Sequence, residues 1–157
     1  MRHIISVQLE NASGALSRVA GLFSARGFNI ESLTVATTND PTLSRMTIVS
    51  VGDDNIIEQI VKQLNKLIDV VKVTDLTATE HIERELLLVK LAVNNDSQSK
   101  VESQLDLYDA KIIDASEEVY TVELAGKSQK INDFINAFNA DEVLEVSRTG
   151  VTGVCQK

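Results

Sequence analysis

The chain has 157 residues, room for one ordinary domain or two small ones, and its 43% hydrophobic and 24% charged content exclude a disordered, collagen-like or coiled-coil polymer. Fifteen basic against 23 acidic residues give a net charge of −8, which repels phosphate backbones; no basic patch is apparent in the sequence, and no nucleic-acid partner is expected. No apolar run approaches the roughly 18 residues that span a bilayer, and the opening MRHIISVQLE alternates where a signal peptide would be continuously apolar. The expectation is a soluble, cytoplasmic protein without a membrane partner. The lone cysteine, Cys155, forms no internal disulfide, and the distant His3 and His81 offer no metal-ligand cluster, so no bound metal or cofactor is expected.

Period-2 alternation predicts a strand over Arg2 to Glu10, with His3, Ile5, Val7 and Leu9 on one face and Ile4, Ser6 and Gln8 on the other. Leu16, Val19, Ala20 and Phe23 then recur at helical spacing, predicting a helix over Ala15 to Arg26 with Ser13 as its N-cap and Gly27 at its end. Ile30 to Thr37 and Leu43 to Val51 read as strands around the turn formers Thr38-Asn39-Asp40-Pro41. Asp53 caps a second helix reaching about Leu67, and a strand follows at Val70 to Leu76. That order, βαββαβ, buries a four-stranded antiparallel sheet under two helices.

Thr77 to Glu83 is polar and without apolar period, which places a linker there. The same order then repeats. Strands are expected over Glu85 to Val93, Lys111 to Ala115, Val119 to Ala125 and Val143 to Val151, and helices over Ser97 to Tyr108 and Ser128 to Asn139. The fold class is therefore α+β, two tandem ferredoxin-like units. The expected domains are residues 1–77 and 84–157, with 78–83 between them. The second part carries most of the acidity, 15 acidic against 8 basic residues beyond Ala78. Units this small gain burial by oligomerising.

Chemistry-bearing motifs are absent from the sequence. There is no phosphate-cradling glycine loop and no nucleophile elbow, and the pairs Asp53-Asp54 and Glu117-Glu118 read as a helix cap and a turn. Asn11-Ala12-Ser13 and Asn95-Asp96-Ser97 match glycosylation acceptors but sit where strands turn into helices, where such side chains cap.

The informative stretch is Glu10-Asn11-Ala12-Ser13-Gly14-Ala15-Leu16, a strand-to-helix turn in which Gly14 permits close approach and the helix start favours an anion. That suits an amino acid's carboxylate. Asn29 offers an amide oxygen to an ammonium group, and Leu33 or Val35 bounds an aliphatic side chain. On pattern alone, Gly14 and Asn29 also read as plain turn residues.

The same residues carry a family resemblance. Leu9-Glu10-Asn11, Ser13-Gly14-Ala15-Leu16-Ser17-Arg18-Val19, Gly21-Leu22-Phe23, Arg26-Gly27 and Asn29-Ile30-Glu31-Ser32-Leu33-Thr34-Val35 resemble the small regulatory subunits of acetohydroxyacid synthase. Asp40 to Ile48, Lys62-Gln63-Leu64, Lys66 to Val70 and Arg84 to Lys90 are similar to the family's later blocks. The resemblance implies an N-terminal ACT domain, which binds amino acid and dimerises, and an ACT-like C-terminal domain. It implies a branched-chain amino acid site, for valine, made by Asn11 and Gly14 with Asn29 and Ile30 of a neighbouring chain. Ala15, Leu16, Leu33 and Val35 lie in the blocks around it. It further implies a non-catalytic role: binding and activating a large catalytic subunit, which holds thiamine diphosphate, FAD and Mg, and conferring feedback inhibition by valine. The alternative is a free-standing ACT-type sensor of another enzyme. The acidic second half and the first-helix residues Ser17, Arg18 and Gly21 are candidate docking faces.

Overall fold

A computed structural model describes residues 1–156; Lys157, the last residue of the expected second domain, lies outside them. Along the chain run β1 (Arg2–Glu10), α1 (Ala15–Ala25), β2 (Ile30–Thr37), β3 (Leu43–Val51), α2 (Asp54–Leu64) and β4 (Val70–Asp75). There follow β5 (His81–Ala92), α3 (Gln98–Tyr108), β6 (Lys111–Ala115), β7 (Val119–Gly126), α4 (Ser128–Asn136), β8 (Val143–Arg148) and β9 (Thr152–Cys155). The chain divides into two compact units, Met1–Glu83 together with the chain from Val151 onward, and Arg84–Gly150.

The first unit's sheet is antiparallel in the order β2-β3-β1-β4, so β1 is central. Alternation along β1 turns Ile5, Val7 and Leu9 toward the helices, where they share one core with Val19 and Phe23 of α1 and Ile57, Ile60 and Leu64 of α2. Phe23 meets Phe28 edge to face at 6.1 Å. Asp53 caps α2 as expected, its carboxylate accepting from Ile56 N at 2.9 Å. The helix stops at Leu64 rather than Leu67, because Lys66 and Leu67 donate three residues back, to Gln63 and Leu64, in a tighter turn.

The sheet's other face is covered at one end by a small cluster of Ile4, Val49, Leu76 and Val151. Val151 comes from the end of the chain, and here the structure departs from the expected boundaries. The last predicted strand, Val143 to Val151, is instead two: β8 ends at Arg148, Gly150 turns the chain at φ 77°, and β9 pairs with β5. β9 also lies against β1 and β3. Domain 84–157 therefore gives up its final segment to the first unit, because Ile4, Val49 and Leu76 need apolar cover. The expected linker shortens for the same reason. β5 starts at His81, and Gln156 N donates to Glu80 O at 2.8 Å, giving polar residues strand partners that their own pattern does not announce.

The second unit repeats the topology, with sheet order β6-β7-β5-β8. Leu87, Val89 and Leu91 of β5 pack on Val101 and Leu105 of α3 and on Ile131 and Phe134 of α4. Tyr108, Phe134 and Phe138 form an edge-to-face chain at 5.4 and 5.2 Å. At one end the buried Glu85 carboxylate accepts from Arg148 at 2.6 and 2.9 Å and from Ser128 Oγ at 3.0 Å. This satisfies a charge that would otherwise be costly to bury.

Candidate functional site

The β1–α1 turn is built around Gly14, which occupies the N-cap position of α1 at φ 83°, in the left-handed region. Ser13, the expected cap, does not cap: no side chain does, and its carbonyl instead accepts from Arg18 Nη2 at 3.3 Å. The helix starts at Ala15 as expected, with the left-handed Gly14 in the cap position in place of Ser13. Ala15 N donates back to Ala12 O at 3.2 Å; without a side-chain cap, the next first-turn amides, those of Leu16 and Ser17, lie at the positive end of the helix dipole, an arrangement suited to a carboxylate. The left-handed backbone favours glycine at this position, and a Cβ on Gly14 would stand 2.9 Å from Arg18 Nη1, so that guanidinium would have to shift to admit one.

Arg18 grips Asp69, its Nε and Nη2 donating to the two carboxylate oxygens, the Nη2 bond at 2.9 Å. Asp69 is buried, and its carbonyl accepts from Glu10 N at 2.8 Å. The pair ties α1 to the end of β1 and the start of β4. The expected docking face keeps all three of its residues exposed, Ser17, Arg18 and Gly21, although the Arg18 guanidinium is also engaged by Asp69. Sequence reasoning missed the pair because 51 residues separate its members.

The hydrogen bond from Arg18 is the main cause holding the Asp69 carboxyl below the ordinary aspartate range, against the opposing pull of burial. A lowered folded-state value means that the stabilisation is present above about pH 4, where an unfolded aspartate is already ionised, and is lost as pH falls through the lower folded value. The first unit is therefore expected to weaken on acidification below about pH 4. Asp69→Asn should remove that part of the acid dependence, as urea midpoints measured across pH would register.

Asn11 fixes the opposite wall of the turn. Its N–H donates to Thr42 O at 2.7 Å and its Nδ2 to Pro41 O at 3.0 Å, which leaves Oδ1 facing out. Ala15 is buried in the core, so only its backbone faces the turn, whereas the Leu16 side chain is exposed. Asn29 is exposed, with its carbonyl taken by Ser50 Oγ at 2.7 Å. Ile30 and Leu33 pack partly on the first core, and Val35 is exposed at the sheet edge.

Register locates these groups relative to one another. Ile30 pairs with Ser50, which pairs with His3, whereas Thr37 pairs with Ser44, which pairs with Leu9. Asn29 and Ile30 thus sit at the end of the sheet where β1 begins, and Asn11, Gly14 and Leu16 at the end where it finishes, roughly 20 Å away at about 3.3 Å per residue. One chain does not bring the two sets together. β2, which carries the first set, is an edge strand.

The histidines form no site with them. His3 is buried with neither ring nitrogen hydrogen-bonded; Nδ1 lies 3.8 Å from Asp75 and Nε2 3.9 Å from Asp54, in opposite directions. No group of three metal-ligating side chains occurs among the described residues.

Comparison with known proteins decides the family. Residues 5–72 match the AHAS small subunit-like ACT domain, and residues 84–157 match the small subunit of acetolactate synthase. The chain belongs to the acetolactate synthase small-subunit family. It is 52% identical over 155 residues to the acetolactate synthase isozyme 3 small subunit of Escherichia coli, covering 98% of this chain and 95% of that one. It is 44% identical over 150 residues to a probable acetolactate synthase small subunit of Archaeoglobus fulgidus, covering 96% and 94%. The crystal structure of the Thermotoga maritima acetolactate synthase small subunit is similar at TM-score 0.90 and 39% identity, covering 100% of this chain and 98% of that one. Acetohydroxyacid synthase and acetolactate synthase are two names for one enzyme, so the family expected from the β1–α1 and β2 motifs is the family found. The ACT domain of this small subunit carries the uncapped glycine turn, the committed Arg18–Asp69 pair and the edge strand β2.

Proposed function

We propose that this chain is the regulatory subunit of acetolactate synthase in branched-chain amino acid biosynthesis: it binds and activates the large catalytic subunit and transmits feedback inhibition by valine bound between two ACT domains. Catalysis, with thiamine diphosphate, FAD and Mg, belongs in this reading to the large subunit. The observation that carries it is the opposite placement of the two half-sites on one sheet with an open edge. A two-fold axis that pairs β2 antiparallel with β2 of a second copy sets the start of one strand beside the end of the other. Asn29 and Ile30 of one protomer then approach the Asn11–Gly14 turn of its partner.

In that site the valine carboxylate meets the first-turn amides of α1, its ammonium group meets Asn11 Oδ1 and Asn29, and its side chain meets Ile30, Leu33 and Val35. With about eight heavy atoms, valine should bind with micromolar to millimolar affinity. It inhibits only if it binds the inhibiting arrangement of the complex better than the activating one. The deciding experiment is acetolactate formation from pyruvate by the large subunit, with and without this chain, across a valine titration. Activation followed by inhibition is the expected result; an unchanged rate from a competent large subunit would assign the chain to a free-standing sensor instead.

Asn29→His should raise the valine concentration needed for half-inhibition several-fold and leave activation intact, because Asn29 is exposed and its carbonyl, which Ser50 uses, is retained. An inhibition curve that does not move would remove Asn29 from the site.

A further inference from the structure

The open face of the first sheet carries a second feature that the effector site does not use. Ser6 and Gln8 of β1 point away from the helices, since Ile5, Val7 and Leu9 point toward them. Across the strands Gln8 is paired with Arg45 of β3 and Lys72 of β4, and Ser6 with Thr47 and Thr74. Two adjacent rows, Arg45-Gln8-Lys72 and Thr47-Ser6-Thr74, therefore make a grid of six side chains spaced about 4.8 Å apart across the sheet. Ser6 and Thr47 are buried, so the side chains that open to solvent are Gln8, Arg45, Lys72 and Thr74; each can donate a hydrogen bond, two are positive, and none is acidic.

Neither cation is neutralised: no ion pair among the described residues uses Arg45 or Lys72. In a chain of net charge −8, two unpaired cations flanking one amide are a local exception. The grid is also concave. β9 runs beside it, and Val154 walls two adjoining hollows of about 450 and 250 Å³ that share Gln8 and Arg45. Acidic groups enter only outside the grid. Asp40 stands at the far rim of the larger hollow with its carboxylate held by Thr42 N and Oγ1 at 2.9 and 2.7 Å, and Glu10 lies one row further along β1.

We infer that this face is a second ligand site, separate from the valine site, that takes a small molecule bearing a phosphate group. Two cations match a dianion, a tetrahedral phosphate accepts from several directions at once, and Arg45 can hold two of its oxygens in parallel. A mono-anionic carboxylate would use half of the charge and few of the donors.

The test titrates the full chain with inorganic pyrophosphate by calorimetry and follows the amides of Ser6, Gln8, Arg45 and Thr74 by NMR. Saturable binding that perturbs those amides is expected, weakened at least tenfold in the R45Q/K72Q double variant. Gln8→Glu, which sets a carboxylate between the two cations, should abolish it while circular dichroism stays native. Valine titration should be unchanged in both variants, which separates this site from the effector site. Absence of saturable binding at millimolar pyrophosphate, or binding indifferent to the charge variants, overturns the assignment. So does loss of association with the large catalytic subunit in R45Q/K72Q without any phosphate binding by the parent chain, which would make the grid a protein-docking face.

Discussion

Gly14→Asp is expected to abolish valine inhibition while the complex with the large subunit still forms and turns over. The new carboxylate would stand at the helix start where the ligand's carboxylate must go, on a Cβ that would lie 2.9 Å from Arg18 Nη1. Charged hydrogen bonds to the first-turn amides are worth about 1.5 to 3 kcal/mol each. Losing two of them, with like charges opposed, weakens binding by a hundredfold or more, at about 1.4 kcal/mol per tenfold. Aspartate is among the residues that tolerate a left-handed backbone, so the first unit should remain folded at a cost of about 1 to 2 kcal/mol. Gly14→Ala separates the two effects, adding strain without charge; it should weaken valine binding far less than aspartate does. Calorimetry that finds undiminished valine binding in Gly14→Asp would move the effector away from this turn.

How far the sequence foretold this site depends on the range of the interactions involved. β1, β2 and β3 have the limits expected from alternation and from the turn formers around Asp40-Pro41, because those signals are local. Asp53 caps as its type and position imply. Ser13 does not, although its type is equally suitable: the left-handed Gly14 takes the cap position of the helix that starts at Ala15, and backbone handedness at a glycine is not written in hydrophobic periodicity. The motif residues Asn11, Gly14 and Asn29 are legible as a group. Their separation to opposite ends of the sheet is not, since it follows from the order β2-β3-β1-β4 and not from their spacing. Arg18–Asp69, Glu85–Arg148 and the grid around Gln8 share that character. Each joins residues that only strand pairing or helix docking brings together, so an acidic chain without a basic run in its sequence nonetheless has a locally cationic sheet face.

The tail is the largest case of such long-range determination, and Val151→Asp is expected to be its most damaging single substitution. Val151 is 2% exposed and seals Ile4, Val49 and Leu76 on the sheet face opposite the helices. Removing a buried valine forfeits about 1.5 to 3 kcal/mol of apolar burial. Placing a carboxyl there without a partner adds about 1 to 3 kcal/mol in its neutral form, and more if it ionises. The combined loss of about 2.5 to 6 kcal/mol is a large part of what a unit this size can hold in reserve. It should appear as a lower urea midpoint and as faster hydrogen exchange at the amides of β1, β3 and β4. Val154→Ala, on the neighbouring strand β9 but exposed, should stay within about 0.5 kcal/mol of the parent. The effector site should feel the same change, since Val151 N donates to Ser32 Oγ at 3.5 Å and Ser32 lies in β2, two residues beyond Ile30. Loosening that contact frees the start of β2 to shift, so Val151→Asp should raise the valine requirement even at temperatures where the unit is still folded. Normal valine sensitivity in a demonstrably destabilised Val151→Asp protein would show that the tail covers the sheet without positioning the site.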